Sequence, residues 1–275
     1  MITAITYGNK KFEKAKKYNL KTARRYGADC VIGYSDEDID SKFYKKNKRI
    51  LCRERGNGYW LWKPYFINKA LENVNFGDYL IYTDAGSSYV NNISYLIECM
   101  EKNNVDIMPF SLGKYFECQY TKRDVFNELN MDNLETINSP QNLAGYVLVK
   151  KTEHSVKFIK DWLKFCQVDE LITDDPSKLP NYEGFKENRH DQSVYSVLVK
   201  KYNLLSFRDP SQYGIHRIDS YSKEVLERSN YPQVIDSHRY AKASSKFIIK
   251  LRRVCLWGYR CLKNKKIEDY NEQFR

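Results

Sequence analysis

Five stretches of the sequence carry side chains that could hold or transform a charged ligand. Residues 79–88, YLIYTDAGSS, deliver one carboxylate, Asp84, from a hydrophobic run into a turn of small residues. Ala85 and Gly86 leave room for a diphosphate close to the backbone, and Asp84 can hold a divalent cation that neutralises it. The ordinary alternative is an Asp that caps the next turn. Residues 58–64, GYWLWKP, offer Lys63 to a phosphate and a Trp to a base or sugar ring, or else two core Trp and a solvated Lys. Residues 141–149, QNLAGYVLV, would let a sugar approach the backbone at Ala144-Gly145, or simply turn into a strand. Residues 189–198, RHDQSVYSVL, place Asp191 and Gln192 at a helix start. Asp191 is either the N-cap or, with Gln192, the group facing a sugar. There it would be a base on an acceptor hydroxyl or the electrostatic partner of an oxocarbenium ion. Residues 235–240, IDSHRY, contain His238, which could join Asp84 at a metal, although a lone His is more often structural.

The chain that must position these groups has 275 residues and is 42% hydrophobic, enough for a sizeable core. Lys+Arg outnumber Asp+Glu by 46 to 35, a formal charge of +11 that favours polyanions: nucleic acid, anionic lipid or phosphorylated substrates. Seven scattered Cys without a CxxC pair, and a start without a signal-peptide pattern, point to a reducing cytoplasm rather than a disulfide scaffold or zinc site. No apolar run approaches the roughly 20 residues that cross a bilayer.

Apolar runs predict strands at 2–7, 29–34, 78–83, 105–110 and 143–149, and a late one at 204–207. Helical patterns occupy 11–26, 64–71, 93–102, 152–166 and 190–202. Residues 36–48 read as an irregular surface segment. Thr121 reads as the cap of a short helix and Thr152 as the cap of a longer one. The alternation gives an α/β class: a mostly parallel, Rossmann-like central sheet flanked by helices, with ligands beyond the carboxyl ends of its strands. The expected division is a catalytic domain over 1–240 and a basic amphipathic helical extension over 241–275. In that tail Phe247, Leu251 and Val254 alternate with Lys and Arg, which suits either an anionic membrane surface or packing on the domain.

Taken in order, these pieces resemble GT-A glycosyltransferases, most closely bacterial enzymes of capsule and lipopolysaccharide biosynthesis. The layout is similar to the glycogenin/lipopolysaccharide-galactosyltransferase group. Ile5-Thr6-Tyr7-Gly8, Asp84-Ala85-Gly86, Asn142-Leu143-Ala144-Gly145, Asp191-Gln192 and His238 carry the resemblance, by order and spacing rather than by any single motif. It implies transfer of a hexose from a nucleotide-diphosphate sugar, UDP-linked, to a surface-polysaccharide or lipid-linked glycan acceptor. It further implies donor binding by Tyr7, Gly8, Lys63, Asp84, Ala85, Gly86, Ala144 and Gly145, and catalysis at Asp191 and Gln192. Mn²⁺ or Mg²⁺ would sit on Asp84 and His238. Gly86 departs from the pattern, because it replaces the second carboxylate of Asp-x-Asp. The ion would then rest on Asp84, His238, donor phosphates and water, or basic side chains would replace it. The resemblance also implies a cytoplasmic enzyme, held at the inner face of the membrane by its tail, with no nucleic acid as partner. Two other classes stay open: a nucleic-acid-binding protein or nuclease, which the charge permits without any recognisable motif, and a catalytically inactive scaffold subunit of the same layout.

Overall fold

A computed structural model describes residues 1–238; the tail helix, its membrane contact and the extension over 241–275 lie outside the described residues. The strands are β1 (Ile2–Tyr7), β2 (Cys30–Tyr34), β3 (Tyr79–Thr83), β4 (Ser87–Tyr89), β5 (Ile107–Phe116), β6 (Pro140–Lys150), β7 (Phe207–Arg208) and β8 (Ile235–Ser237). Six of them form one sheet in the order β2-β1-β3-β6-β5-β7, while β4 and β8 make a separate ribbon. The β1–β2, β1–β3 and β5–β7 pairs are parallel, and β6 runs antiparallel to both β3 and β5. The expected mostly parallel α/β sheet is therefore present, with one reversed strand inside it.

The period of two along each strand divides the core between the two faces. Ile5, Tyr7, Leu80, Tyr82, Val147 and Val149 pack with the helices Trp62–Glu72, Glu153–Cys166 and Asp191–Lys201. Ala4, Ile81, Tyr146 and Leu148 pack with Glu13–Arg25 and Ser94–Lys102. Phe66, Trp162 and Phe158 are fully buried in the first layer, each contributing about 2–3 kcal/mol of transfer free energy. That layer is what fixes the starts of the 62–72 and 191–201 helices, and with them Lys63 and Asp191.

Some local expectations change. Residues 36–48 are not irregular: a 3-10 turn Asp36–Asp38 and the helices Ser41–Lys46 and Lys48–Leu51 occupy them. The Asp40 carboxylate accepts from Lys42 N (2.9 Å) and Phe43 N (3.1 Å), and Phe43 stacks on Tyr65. A good cap and one aromatic contact outweigh the polar composition. β5 runs past 110 to Phe116 because the long β6 continues to pair with it, through register shifts, as far as Pro140. Thr121 caps nothing. Its hydroxyl donates to Glu117 Oε2 (2.6 Å), and the helix Arg123–Glu128 starts without a side-chain cap. Thr152 does cap its helix, accepting from Ser155 N at 3.0 Å.

Candidate active site

Asp84 follows β3 at the rim where the parallel strands end. Its backbone N donates to Gly145 O (2.9 Å), and its own carbonyl accepts from Ser87 N (3.0 Å). Asn19, buried in the Glu13–Arg25 helix, donates to Thr83 Oγ1 (2.8 Å), Ser87 O (3.0 Å) and Asp84 O (3.4 Å). His238 N donates to Gly86 O (3.0 Å) beside the β4–β8 pair. The turn is thus tied from three directions, and the carboxylate itself stands 43% exposed. Tyr82 OH donates to Asp84 Oδ1 at 2.5 Å.

Lys63 and Asp191 converge on this carboxylate from the first helical layer. Lys63 Nζ lies 3.0 Å from Asp191 Oδ2 and 3.5 Å from Asp84 Oδ1. The ordinary readings of both residues fall away. Lys63 is buried rather than solvated, and the N-cap position belongs to His190, with φ 56° and ψ −121°, so Asp191 is free to face the lysine. The partner of Asp191 Oδ2 is the Lys63 ammonium, 3.0 Å away. Burial pushes the Asp191 carboxyl up to about 6; Lys63 opposes the rise and Asp84 adds to it. For Lys63, burial favours the neutral amine, but the two carboxylates more than reverse that and raise its pKa. Two carboxylates face one ammonium, so the cluster carries one uncompensated negative charge when all three are ionised.

Backbone strain fixes this geometry. Residues 56–60 form a left-handed turn with φ of 60°, 53°, 92°, 51° and 60°. Gly56 and Gly58 accept it freely, but Asn57, Tyr59 and Trp60 cost about 1–2 kcal/mol each. Tyr59 and Trp60 then pack their rings on His190, at 5.0 and 5.2 Å. Two strained segments therefore brace each other immediately before Lys63 and Asp191, an arrangement typical of sites that need pre-set side chains.

The remaining candidates surround the cluster. Gln192 accepts from Ala144 N (3.3 Å) and donates to Gln141 Oε1 (2.8 Å). Ala144 and Ala85 are buried. A Cβ on Gly145 would lie 3.2 Å from Asp84 Oδ2. Because Asp84 is half-exposed it can yield, so Gly145→Ala should cost under about 1 kcal/mol of stability. Moving the Asp84 carboxylate by a few tenths of an ångström should nonetheless lower any turnover at this site about tenfold. Activity assays paired with thermal melts check this, and a large melting shift would place the effect in the fold instead.

Tyr7 is stacked on Trp62 at 3.8 Å, and its hydroxyl donates to Asp36 and accepts from Asn57 Nδ2 (2.5 Å). The ring is thus covered, and what β1 offers a ligand is its end beside Asp36 and Asn57. Gly8 serves packing as well, since a Cβ there would come within 3.1 Å of Phe12 Cβ. Trp62 is core, and Trp60 is partly buried against it and stacked on His190. Sequence reasoning missed Asn19, Tyr82, Gln141, Asp36 and Asn57. Asn19 had a signal: Ala15, Asn19, Thr22 and Ala23 share the buried stripe of their helix, so its polar members face inward.

Among the described residues no group of three or more His, Cys, Asp or Glu is placed to hold a metal ion. A divalent cation fits only as a shared one. Asp84 is exposed enough to ligate it, His238 follows in the chain segment bonded to Gly86, and oxygens of a bound ligand would complete the shell.

No family model matches the chain, and no curated protein matches it. Among solved structures it is similar to mouse xyloside xylosyltransferase 1 in its apo form (TM-score 0.46, 12% identity, 87% of this chain and 98% of that one). It is also similar to the WbbM bifunctional glycosyltransferase (0.47, 6%, 87% and 46%). A third likeness is to a glycosyltransferase involved in glycosylating the major capsid of PBCV-1 (0.45, 10%, 87% and 94%).

Proposed function

We propose that the chain is a glycosyltransferase of GT-A-like layout that transfers a hexose from a UDP-linked sugar to a surface-polysaccharide or lipid-linked glycan. One observation carries the reading. Lys63, Asp84 and Asp191, from three separated stretches, meet within 3.5 Å at the carboxyl rim of the sheet, where open α/β sheets bind their ligands.

During transfer the bond from the anomeric carbon to the phosphate oxygen breaks and the bond to the acceptor oxygen forms. Positive charge grows on the sugar and negative charge on the departing diphosphate. The Asp191 carboxylate, buried and 3.0 Å from the Lys63 ammonium, stabilises the first. The Lys63 ammonium faces the second. Asp84 and His238 would hold Mn²⁺ or Mg²⁺, which when bound would neutralise the diphosphate. The end of β1 would meet the base, and Ala144-Gly145 with Gln192 would line the sugar pocket.

A thermal-shift panel of nucleotide sugars with and without Mn²⁺ tests the assignment. A cognate donor at about 100 times its Kd should stabilise the fold by about 2.7 kcal/mol. Asp84→Ala should erase that shift and the turnover with it. The reading fails if no nucleotide sugar moves the wild-type melt, or if transfer by Asp84→Ala persists near the wild-type rate.

A further inference from the structure

A second cluster lies on the same rim, on the far side of Gln192 from Tyr7-Gly8. β1, β3, β6 and β5 stand side by side in that order. Since β3 and β5 both run antiparallel to β6, the end of β5 emerges at the same edge as Asp84. There Tyr120, Arg189, Tyr115, Arg217 and Tyr213 alternate ring and guanidinium. The Arg189 guanidinium carbon is 3.7 Å from the Tyr120 ring centre and 5.0 Å from that of Tyr115. The Arg217 carbon is 5.0 Å from Tyr115 and 5.1 Å from Tyr213. Two cations therefore share one tyrosine. Tyr221 OH, bonded to Ser111 O at 3.3 Å, ties the segment that carries Arg217 to β5.

Protein carboxylates meet this charge only in part. Arg189 Nη1 donates to Gln141 Oε1 (3.2 Å), the oxygen that also accepts from Gln192. The carboxylate beside Arg189 is Glu187, solvent-exposed and 3.5 Å away. Arg217 Nη1 is buried without a hydrogen-bond partner among the described residues. Asp209 feels the charge of Arg217, but its Oδ1 accepts from Ser211 N (2.8 Å). Ring faces offset part of the repulsion between two guanidinium groups. An oxyanion that takes both forks offsets more, and completes the orphaned donor. Tyrosine rings beside it suit the apolar face of a sugar.

We propose that this ladder is the subsite for a negatively charged group, a carboxylate or a phosphate, on the glycan acceptor. The word acceptor rests on the proposed function, and the anion site does not. The donor's charge is assigned to Lys63 and Asp84, with β6 between them and β5. A ligand reaching Gln192 from the ladder meets the sugar end of the donor, not its nucleotide.

Calorimetric titration of the purified chain with methyl glucuronide, glucose 6-phosphate and neutral methyl glucoside tests the site. At least one charged probe should bind about tenfold more tightly than the neutral one, and the better of the two names the group. Arg217→Gln should abolish that preference while leaving UDP affinity unchanged. Arg217→Lys keeps the charge without the fork and should weaken the preference several-fold; it carries the test if the Gln variant melts early. Equal binding of charged and neutral probes overturns the proposal, as does a preference that survives both substitutions. A wild-type chain that prefers the charged probes but ignores UDP would sink the donor assignment alone.

Discussion

Lys63→Met is expected to be the most damaging single change at the site, lowering stability by about 3–5 kcal/mol and abolishing transfer. Met matches the length of the lysine stem, so the apolar packing survives and only the ammonium is lost. What remains is a buried carboxylate, Asp191, with its cation gone and Asp84 still present as a like charge. Removing one partner of a buried pair leaves the desolvation of the other uncompensated. For a fold of this size the loss corresponds to a melting shift of roughly 10 °C. The effect has a pH signature. Lys63 is the chief influence holding the Asp191 carboxyl down against burial, so its loss drives that pKa above its present value of about 6. A carboxyl whose folded pKa is raised gives stability that is complete below its unfolded value and fades as pH rises through the folded one. The deficit of Lys63→Met should therefore be large at pH 8 and much smaller at pH 5. Denaturant melts at the two pH values decide it. A deficit under about 1 kcal/mol at pH 8, or one equal at both, would mean that Lys63 does not hold a buried charge.

How much of this was legible in the sequence depends on whether the signal was local. β1, β3 and the Thr152 cap are set by short runs and single hydrogen bonds, and they fall where the sequence puts them. Lys63, Asp84 and Asp191 were each visible as candidates, each beside an ordinary alternative. Their meeting was not visible, because it depends on how the 62–72 and 191–201 helices pack across the sheet. That Asp191 does not cap the helix turns on one residue of register, set by the positive φ of His190, which no propensity anticipates in a histidine. The reversal of β6 was hidden for a similar reason: a buried apolar run reads the same in either direction. Gly86 was legible as a missing carboxylate. What stands near Asp84 instead is an ammonium with a second, distant carboxylate behind it, an arrangement no Asp-x-Asp comparison would suggest.

Asp191→Asn should separate function from stability in the opposite sense. Transfer is expected to fall by about 10²–10³, the usual scale for removing one preorganised charge from a transition state. The fold should become more stable at pH 8, by up to about 3 kcal/mol, because a carboxyl shifted from 3.8 to about 6 destabilises the folded state when ionised. The amide cannot ionise, and Lys63 keeps Asp84 at 3.5 Å, so the cluster changes from one excess negative charge to balance. Wild-type stability should decline between about pH 4 and 6 as Asp191 gives up its proton, while the Asn variant stays level over that interval. Wild-type kcat/KM should rise over an acid limb near pH 6, where the carboxylate forms. An inactive scaffold would show the stability difference with no rate to lose. An Asn variant that transferred sugar normally but melted below wild type at pH 8 would make Asp191 a structural partner of Lys63 and nothing more. The excess negative charge is what separates these outcomes: a site built only for stability has no reason to bury a carboxylate beside a lysine that already has Asp84 as its partner.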